Sequence, residues 1–370
     1  MSDANPQGGG INRRSFLTRG AVGAAGLAVV GSGGLSAVMS GLTASPAFGG
    51  KPDYGTLDFQ LSWIKNVEFA GEYWADTKGY YKKEGFSKVN LISGGPNVQQ
   101  DAVVAAGKAF VCISAPDITA AAINNGAPII TIGAQYQKNP FCVMSLAKNK
   151  IESPEDMIGK KIGVQATNEP VWNAFLKANN IDPSKIDKVP VQFDPQPLVT
   201  GEVDGWFSFF TNEPNLLKIQ GVKNYYFLLA DFNYPLVSET YVVRTDSVKN
   251  ERDKIKAMLR ADIKGWFENF KDPAGGAKLA ANKYGKDLDL TVKEQTLESK
   301  DENTVILTDA TYANGLFTIT PELLQQNIDT LQLADINISQ DKLFDMSIIE
   351  EVYEENPELK TPPVAPTELP

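Results

Sequence analysis

The chain has 370 residues, of which 22% are charged, and a formal net charge of −10 at pH 7. That length gives room for two domains of ordinary size, and the negative charge argues against binding to a nucleic-acid backbone. Histidine is absent, which excludes Ser-His-Asp and Cys-His catalysis and removes the commonest transition-metal ligand. We therefore expect no nucleic-acid partner, no metal, no cofactor and no enzymatic activity.

The first 47 residues have the pattern of an export signal. The segment Asn12-Arg13-Arg14-Ser15-Phe16-Leu17 resembles the twin-arginine motif, and no charged residue stands between Gly20 and Gly50. The apolar stretch is rich in glycine, alanine and serine, whereas a membrane span is normally richer in leucine, isoleucine and phenylalanine. We expect export by the twin-arginine route to the periplasm or cell surface, with cleavage after Ala47. An uncleaved membrane anchor is the alternative.

From Thr56 onward, short strand-like and helix-like segments alternate, which is typical of an α/β protein with parallel sheets. Strands are predicted at 57–63, 88–92, 110–114 and 129–135, with helices at 69–78, 98–106 and 118–124. These segments complete a first lobe by about residue 136.

A second set of elements begins near Phe141. A helix is predicted to start at Ser153-Pro154, with Ser153 as its cap. Strands follow at 160–164, 188–191, 205–209 and 226–229, with a helix at 170–179. The chain then returns to a strand at 239–244 and becomes mostly helical. The amphipathic stretches 255–270 and 321–333 are predicted to pack on the first lobe.

The two cysteines, Cys112 and Cys142, are too far apart in sequence for a CxxC motif. Each lies in an apolar run, which favours buried free thiols that act as small apolar side chains. A disulfide between neighbouring strands is the alternative.

Two segments carry a resemblance to a known family, namely Trp63 to Ala75 and Lys78 to Gly85. They resemble the opening of the thiamine-pyrimidine-precursor branch of type II solute-binding proteins. Nitrate and alkanesulfonate binders share the Lys-Gly-Tyr/Phe part, and riboflavin binders share more. The resemblance covers residues 56–350 and implies an extracytoplasmic solute-binding protein of an ABC importer. It also implies the type II periplasmic binding architecture, in which two Rossmann-like lobes close over a ligand and a helical part ends the chain.

With this resemblance, the predicted organisation has four parts. They are an export signal at 1–47, a discontinuous lobe 1 at 56–138 and 237–355, a lobe 2 at 139–236, and a disordered tail at 356–370. The hinge is expected where the chain crosses between lobes, at 136–140 and 234–238. Pro140 and Pro235 fit stiff crossings.

Ligands of open α/β sheets bind beyond the carboxyl ends of the strands, so residues just after strands are the first candidates. Aromatic side chains there could stack on a flat heterocycle, and polar ones could orient its ring nitrogens. Core packing or helix capping is the alternative for each residue. The predicted ligand-binding residues are Trp63, Asn66, Tyr73, Ser114, Asp117, Gln135, Gln165, Thr167, Phe209, Asn212, Glu213 and Tyr234.

Glu213 has a special place among these candidates. The resemblance aligns it with a glutamate that contacts the ligand in pyrimidine-precursor binders. Thr211 departs from the pattern, because those relatives tend to have Tyr or Trp at this position. This departure puts the pyrimidine itself in doubt as the ligand. The predicted ligand class is a small aromatic heterocycle, either a thiamine pyrimidine precursor or a flavin-like compound.

Three other functions remain open on the sequence. A taurine, alkanesulfonate or nitrate binder would use hydroxyls such as those of Ser114 and Thr167. An enzyme that makes the thiamine pyrimidine is the least favoured, because its family implies a histidine and an iron site rich in histidine and cysteine, and this chain contains no histidine. The third alternative is a ligand sensor that acts on a partner receptor instead of a permease. The expected partners are a small-molecule ligand and an ABC permease in the membrane, with the protein itself a monomer.

Overall fold

The computed structural model describes residues 52–370, and ten β-strands form the framework of this part of the chain. In chain order the strands are β1 Gly55–Gln60, β2 Phe86–Ile92, β3 Val111–Ser114, β4 Ile129–Tyr136, β5 Phe141–Leu146, β6 Lys161–Gln165, β7 Asp187–Val191, β8 Gly205–Phe209, β9 Asn224–Leu228 and β10 Ser238–Arg244. One sheet has the order β2-β1-β3-β10-β4, and the other has the order β7-β6-β8-β5-β9. We call the part built on the first sheet lobe 1 and the part built on the second lobe 2.

One strand in each sheet runs against the others. β10 pairs antiparallel with β3 and β4, and β5 pairs antiparallel with β8 and β9. Both strands enter their sheet directly from the other lobe, without the crossover that joins parallel neighbours. The prediction of parallel sheets is therefore wrong at β5 and β10, whereas the α/β class is confirmed.

Helices cover the faces of both sheets and form the C-terminal part. They are α1 Ala70–Thr77, α2 Tyr80–Glu84, α3 Gln100–Ala105, α4 Pro116–Asn124, α5 Glu169–Ala178, α6 Gln196–Thr200, α7 Glu213–Ile219, α8 Thr245–Asn250, α9 Arg252–Lys271, α10 Pro273–Leu279, α11 Val292–Ile306, α12 Asp309–Asn314, α13 Pro321–Leu333, α14 Gln340–Leu343 and α15 Ser347–Glu355. A short 3-10 turn, Val67–Phe69, precedes α1.

Helix α9 crosses α1 at a point where only glycine fits. A Cβ atom added to Gly265 would lie 1.9 Å from the carbonyl oxygen of Gly71, and one added to Gly71 would lie 2.2 Å from Nε1 of Trp266. The two backbones approach closely because neither residue has a side chain. The crossing buries α9 in the core of lobe 1, where the sequence predicts it.

Helix α13 packs differently from its prediction. Its residues Leu324, Ile328 and Leu331 share a core cluster with Trp172 and Phe175 of α5, in lobe 2. An amphipathic pattern shows that one helix face is buried, but it does not identify the partner. The same cluster includes Ile118 and Ala134 of lobe 1, so the prediction that this helix packs on the first lobe is incomplete.

The two chain crossings between the lobes lie side by side. Ser238, at the start of β10, pairs with Tyr136 at the end of β4. Nδ2 of Asn139 donates a hydrogen bond of 3.2 Å to the carbonyl oxygen of Tyr234, and its Oδ1 accepts one of 2.9 Å from the N–H of Phe141. One buried side chain therefore joins both crossings.

The last residues, 356–370, follow a defined path in place of the predicted disorder. They form 3-10 turns at Pro357–Leu359 and Pro366–Glu368. Leu359 is buried in the core of lobe 1, and Val364 and Leu369 pack against that core. Isolated apolar residues between prolines can be buried one at a time, without the helical period that the sequence lacks here.

The helix predicted to begin at Ser153-Pro154 is a single 3-10 turn, Glu155–Met157. Asp156 accepts hydrogen bonds from the N–H groups of Glu152 and Ser153, at 3.0 and 3.1 Å. An aspartate within the turn therefore holds these donors, and the side chain of Ser153 does not act as the predicted cap.

Both cysteines are buried and free, as predicted, with Cys112 in β3 and Cys142 in β5. The predicted export signal at 1–47 lies outside the described residues. Within 52–370, the structure contains no helix that is both long and apolar enough to cross a membrane.

Candidate ligand-binding cleft

A cleft of about 520 Å³ lies between the two sheets. This volume includes the solvent-filled mouth of the cleft. The lining residues come from the ends of β1, β3, β6 and β8 and from the start of β10. They are Ser62, Trp63, Glu68, Gln100, Ser114, Ala115, Ile118, Phe141, Thr167, Asn168, Phe207, Ser208, Phe209, Asn212, Glu213, Ser238 and Glu239.

Glu213 lies at the start of α7, directly after β8 and its turn. Its Oε2 atom accepts hydrogen bonds from the hydroxyl of Ser208 at 2.8 Å and from the N–H of Phe209 at 3.4 Å. Within residues 52–370 no hydrogen bond reaches its Oε1 atom, which leaves an acceptor for a ligand. Burial raises the pKa of Glu213 to about 7, because the charged form loses its hydration.

A second acidic centre is formed in lobe 1 by Glu68, Glu239 and Ser62. The hydroxyl oxygen of Ser62 lies 3.1 Å from Oε1 of Glu68 and 2.9 Å from Oε2 of Glu239. Burial raises the pKa of Glu68 to about 7. Burial, and then the charge of Glu68, raise the pKa of Glu239 well above its ordinary value. The two carboxyl groups therefore titrate as a pair, and burial disfavours the state in which both are charged.

The backbone of Glu239 has an unusual conformation. Its φ angle is +47°, in the left-handed region that residues with a side chain adopt rarely. Holding such a residue costs about 1–3 kcal/mol, and strain of this kind concentrates at functional sites. Glu239 combines this strained backbone with a place in the cleft lining.

The charge of the cleft is entirely acidic. Among residues 52–370, the lining contains the carboxyl groups of Glu68, Glu213 and Glu239 and no lysine or arginine. Neutral polar groups, such as the amides of Gln100, Asn168 and Asn212, supply the remaining hydrogen-bonding capacity. Such a lining suits an uncharged or cationic ligand that presents N–H donors.

Aromatic rings from both lobes complete the walls. Trp63 follows β1 and is 9% exposed, while Phe209 ends β8 in lobe 2. Phe141 supports Phe209 edge to face, with ring centroids 4.5 Å apart, and stacks on Phe207 at 4.9 Å. Rigid rings of this kind offer flat apolar faces to a planar ligand.

Six of the twelve predicted ligand-binding residues line this cleft. They are Trp63, Ser114, Thr167, Phe209, Asn212 and Glu213. The other six are buried behind it, and each has a partner in the protein. Nδ2 of Asn66 donates to Glu298 at 2.7 Å, and Tyr73 stacks on Tyr284 at 4.2 Å.

The remaining four buried residues support the cleft from behind. The hydroxyl of Tyr234 donates to Asp117 at 2.5 Å, so these two predicted residues satisfy each other. Gln135 donates to the carbonyl oxygen of Glu68 at 3.2 Å, and Gln165 donates to that of Phe207 at 3.0 Å. Both glutamines therefore hold the backbone of lining residues.

The hydroxyls proposed for anion binding are already engaged. Ser114 donates to Asp101 at 2.5 Å, and Thr167 donates to the carbonyl oxygen of Val98 at 2.8 Å. A hydroxyl has one proton to donate, so neither is free to donate to a sulfonate or nitrate oxygen.

Sequence reasoning missed Ser62, Glu68 and Glu239, and the causes differ. Glu68 lies within the segment that carries the family resemblance, but it is further from the end of β1 than Asn66. Glu239 stands at the start of a strand, whereas the candidates are residues that follow strands. Because β10 is antiparallel, its first residues lie at the carboxyl end of the other strands. If the antiparallel direction of β10 were known, Glu239 would count among the candidate residues.

Comparison with known proteins gives consistent results. A sequence profile of the family described as NMT1/THI5-like matches residues 66–275. The riboflavin-binding protein RibY of Chloroflexus aurantiacus is 26% identical over 62% of this chain and 67% of its own. The formylaminopyrimidine-binding protein of Halalkalibacterium halodurans is 24% identical over 57% of this chain and 65% of its own.

Among solved structures, the periplasmic aliphatic sulphonate binding protein SsuA from Escherichia coli has a TM-score of 0.58. It is 14% identical, with 75% of this chain and 86% of SsuA covered, so the likeness concerns the fold alone. The predicted periplasmic-binding architecture is thereby confirmed. Since the profile spans more than half of the sequence, the chain belongs to the NMT1/THI5-like family.

Proposed function

We propose that this protein is the extracytoplasmic solute-binding component of an ABC importer and that it binds a small, flat heterocycle with N–H donors. One observation carries the proposal: the cleft combines aromatic walls from both lobes with three carboxyl groups and, in the described residues, no basic side chain. A carboxylate is well matched to the edge of an aminopyrimidine or a similar ring.

The named relatives support this class of ligand. They are binding proteins for riboflavin and for a formylaminopyrimidine, and both ligands contain flat nitrogen heterocycles. The proposed contacts are stacking on Trp63 and Phe209 and a hydrogen bond to Oε1 of Glu213. Asn212 lies beside Glu213 and adds an amide to the same wall.

The rest of the proposal concerns where and how the protein works. The segment 1–47 would direct it through the twin-arginine route to the periplasm or cell surface, where a monomer would deliver its ligand to a membrane permease. Lobe 1, at 56–138 and 237–355, would move against lobe 2, at 139–236. The joined crossings at Asn139 and Tyr234 are the proposed hinge.

An anion-binding function has less support from the cleft. A sulfonate or nitrate needs donors and usually a basic residue, but the hydroxyls of Ser114 and Thr167 donate elsewhere. A pyrimidine-synthase activity has less support still, because the chain contains no histidine.

A thermal-shift screen of the purified protein tests the proposal. The panel contains hydroxymethyl- and formylamino-pyrimidines, thiamine, riboflavin, taurine, alkanesulfonates and nitrate. A ligand at about 100 times its dissociation constant stabilises the folded state by about 2.7 kcal/mol, which gives a clear shift. We expect a shift with a pyrimidine or a flavin.

Two variants show whether that shift comes from the cleft. Glu213→Ala should abolish it, since it removes the free acceptor. Glu155→Ala removes an exposed carboxylate of the same lobe and should leave it unchanged. A panel in which only the anions give a shift would contradict the heterocycle proposal.

A further inference from the structure

The proposed function assigns a ligand contact to Glu213 but none to the carboxyl pair of lobe 1. Glu68 and Glu239 reach the cleft from different elements, the turn before α1 and the start of β10. Ser62 stands between them and has one proton, which it can donate to only one of the two carboxyl groups at a time. Both side chains are buried, at 2% and 3% exposure.

The pair faces a cleft that offers nothing to balance additional negative charge. Glu213 stands on the wall supplied by lobe 2, and the lining formed by residues 52–370 includes no basic side chain. Helix α7, which begins at Glu213, is short and starts with a carboxylate. An anionic group placed here would lose its hydration without gaining a charged partner.

The strained backbone of Glu239 is a second, independent sign of a specific role. Its φ of +47° would be relieved by glycine, yet a glutamate occupies the position. Its carboxyl group is held beside Glu68 instead of reaching solvent. The structure thus keeps an acid where both the backbone and the buried environment disfavour one.

We propose that the pair of Glu68 and Glu239, bridged by Ser62, makes the cleft selective for the unphosphorylated form of its ligand. The pair accepts hydrogen bonds from N–H donors of an uncharged or cationic heterocycle. It repels a phosphate, sulfate or carboxylate group attached to the same ring system. This inference rests on the proposed function, because it concerns the same cleft.

The test compares three forms of one ligand by isothermal titration calorimetry on the purified protein. They are a hydroxymethylpyrimidine, its phosphate ester, and its acetate ester, which adds similar bulk without charge. A parallel pair is riboflavin and its 5′-phosphate. We expect the phosphate ester to bind on the order of 100-fold more weakly than the parent. The acetate ester should stay within roughly 10-fold of the parent, as expected for a small steric change.

The double variant Glu68→Gln/Glu239→Gln removes the charge of the pair and keeps its shape. We expect it to reduce the preference for the parent over the phosphate ester to roughly 10-fold or less. Glu72→Gln is the matched control, because Glu72 is a buried carboxyl of the same lobe that does not line the cleft. This control should retain the full preference.

The possible results separate the inference from the proposed function. If parent and phosphate ester bind equally well, the inference is overturned and the proposed function stands. If acetate and phosphate esters are equally weak, bulk explains the preference and the inference is again overturned. If no heterocycle binds, the proposed function fails, and this inference fails with it. If the double variant retains the full preference, the inference is overturned; if it does not fold, the single variants Glu68→Gln and Glu239→Gln replace it in the same comparison.

Discussion

Lobe 1 and lobe 2 bury carboxyl groups to very different extents. Among residues 52–370, nine carboxyl side chains are buried in lobe 1 and its C-terminal helices, whereas lobe 2 buries Glu213 alone. Those of lobe 1 are Glu68, Glu72, Asp101, Asp117, Glu239, Asp262, Glu294, Glu298 and Glu302. Lobe 2 fills its interior with large apolar side chains such as Trp172, Trp206 and Phe175. The stability of lobe 1 should therefore depend on pH more strongly than the stability of lobe 2.

Two of the buried acids of lobe 1 accept hydrogen bonds from tyrosine hydroxyls. The hydroxyl of Tyr241 donates to Glu72 at 2.9 Å, and Tyr81 donates to Asp262. Burial raises the pKa of Glu72 to about 7 and that of Asp101 to about 6. The folded state binds protons at these groups more tightly than the unfolded state does. Protonation of these groups therefore stabilises lobe 1.

The largest expected effect is a loss of stability in lobe 1 as the pH rises from 5 to 8. A raised folded-state pKa gives stability that is complete below the unfolded value of about 4.5 and is lost as the pH passes about 7. Each pKa unit corresponds to about 1.4 kcal/mol, so several groups together lower the free energy of unfolding by several kcal/mol. Hydrogen exchange, corrected for intrinsic rates and resolved by peptide, measures this in β1 to β4 and β10.

Lobe 2 provides the internal control for that experiment. It buries one such group, Glu213, and its strands β5 to β9 should therefore lose much less protection over the same pH range. An equal loss in both lobes would contradict the contrast drawn here.

A smaller effect is expected when the helix crossing of lobe 1 is filled. Gly265→Ala places a Cβ atom 1.9 Å from the backbone oxygen of Gly71, and a backbone contact cannot be relieved by a rotamer change. We expect a loss of about 3 kcal/mol or more in the free energy of unfolding, measured by urea denaturation at pH 5.

Gly205→Ala is the matched variant in lobe 2. Its Cβ atom would lie 2.7 Å from the terminal carbon of Ile162 and 2.9 Å from that of Ile151, and both are ends of flexible side chains. The expected cost is about 1 kcal/mol. Equal losses in the two variants would show that the α1–α9 crossing is not as tightly packed as described.

An effect smaller than that of Gly265→Ala, and of opposite sign, is expected for Glu72→Gln. This change keeps the shape and the bond to Tyr241 but removes the charge that appears above a pH of about 7. At pH 8 we expect a gain of about 1–2 kcal/mol in the free energy of unfolding, and at pH 5 almost no change. Thermal denaturation at both pH values measures the difference, with the exposed Glu322→Gln as control. A gain of the same size at pH 5 would disprove the charge mechanism.

Much of the fold could be predicted because its strands have clear patterns. The strand 205–209 matches β8 residue for residue, and 321–333 matches helix α13. The direction of β5 and β10 and the packing partner of α13 could not be predicted. Local patterns indicate that a face is buried, but they do not identify the element that packs against it.

The candidate site was predicted where it follows the ends of parallel strands, as at Trp63, Phe209 and Glu213. It was missed at Glu239, whose position depends on an antiparallel strand, and at Ser62. Asp117 and Tyr234 were chosen separately, and the sequence gives no sign that they bond to each other across the two lobes. Such long-range pairing exists only in the folded chain.

Because lobe 2 is inserted between β4 and β10, the strands of the two sheets are synthesised in a fixed order. A ribosome finishes all five strands of lobe 2 before it makes β10, which fills the gap between β3 and β4. The sheet of lobe 1 therefore stays open after the last strand of lobe 2 has been made, and closing it requires contacts between residues far apart in sequence. The cleft is thus complete only when β10 adds Ser238 and Glu239 to its lining.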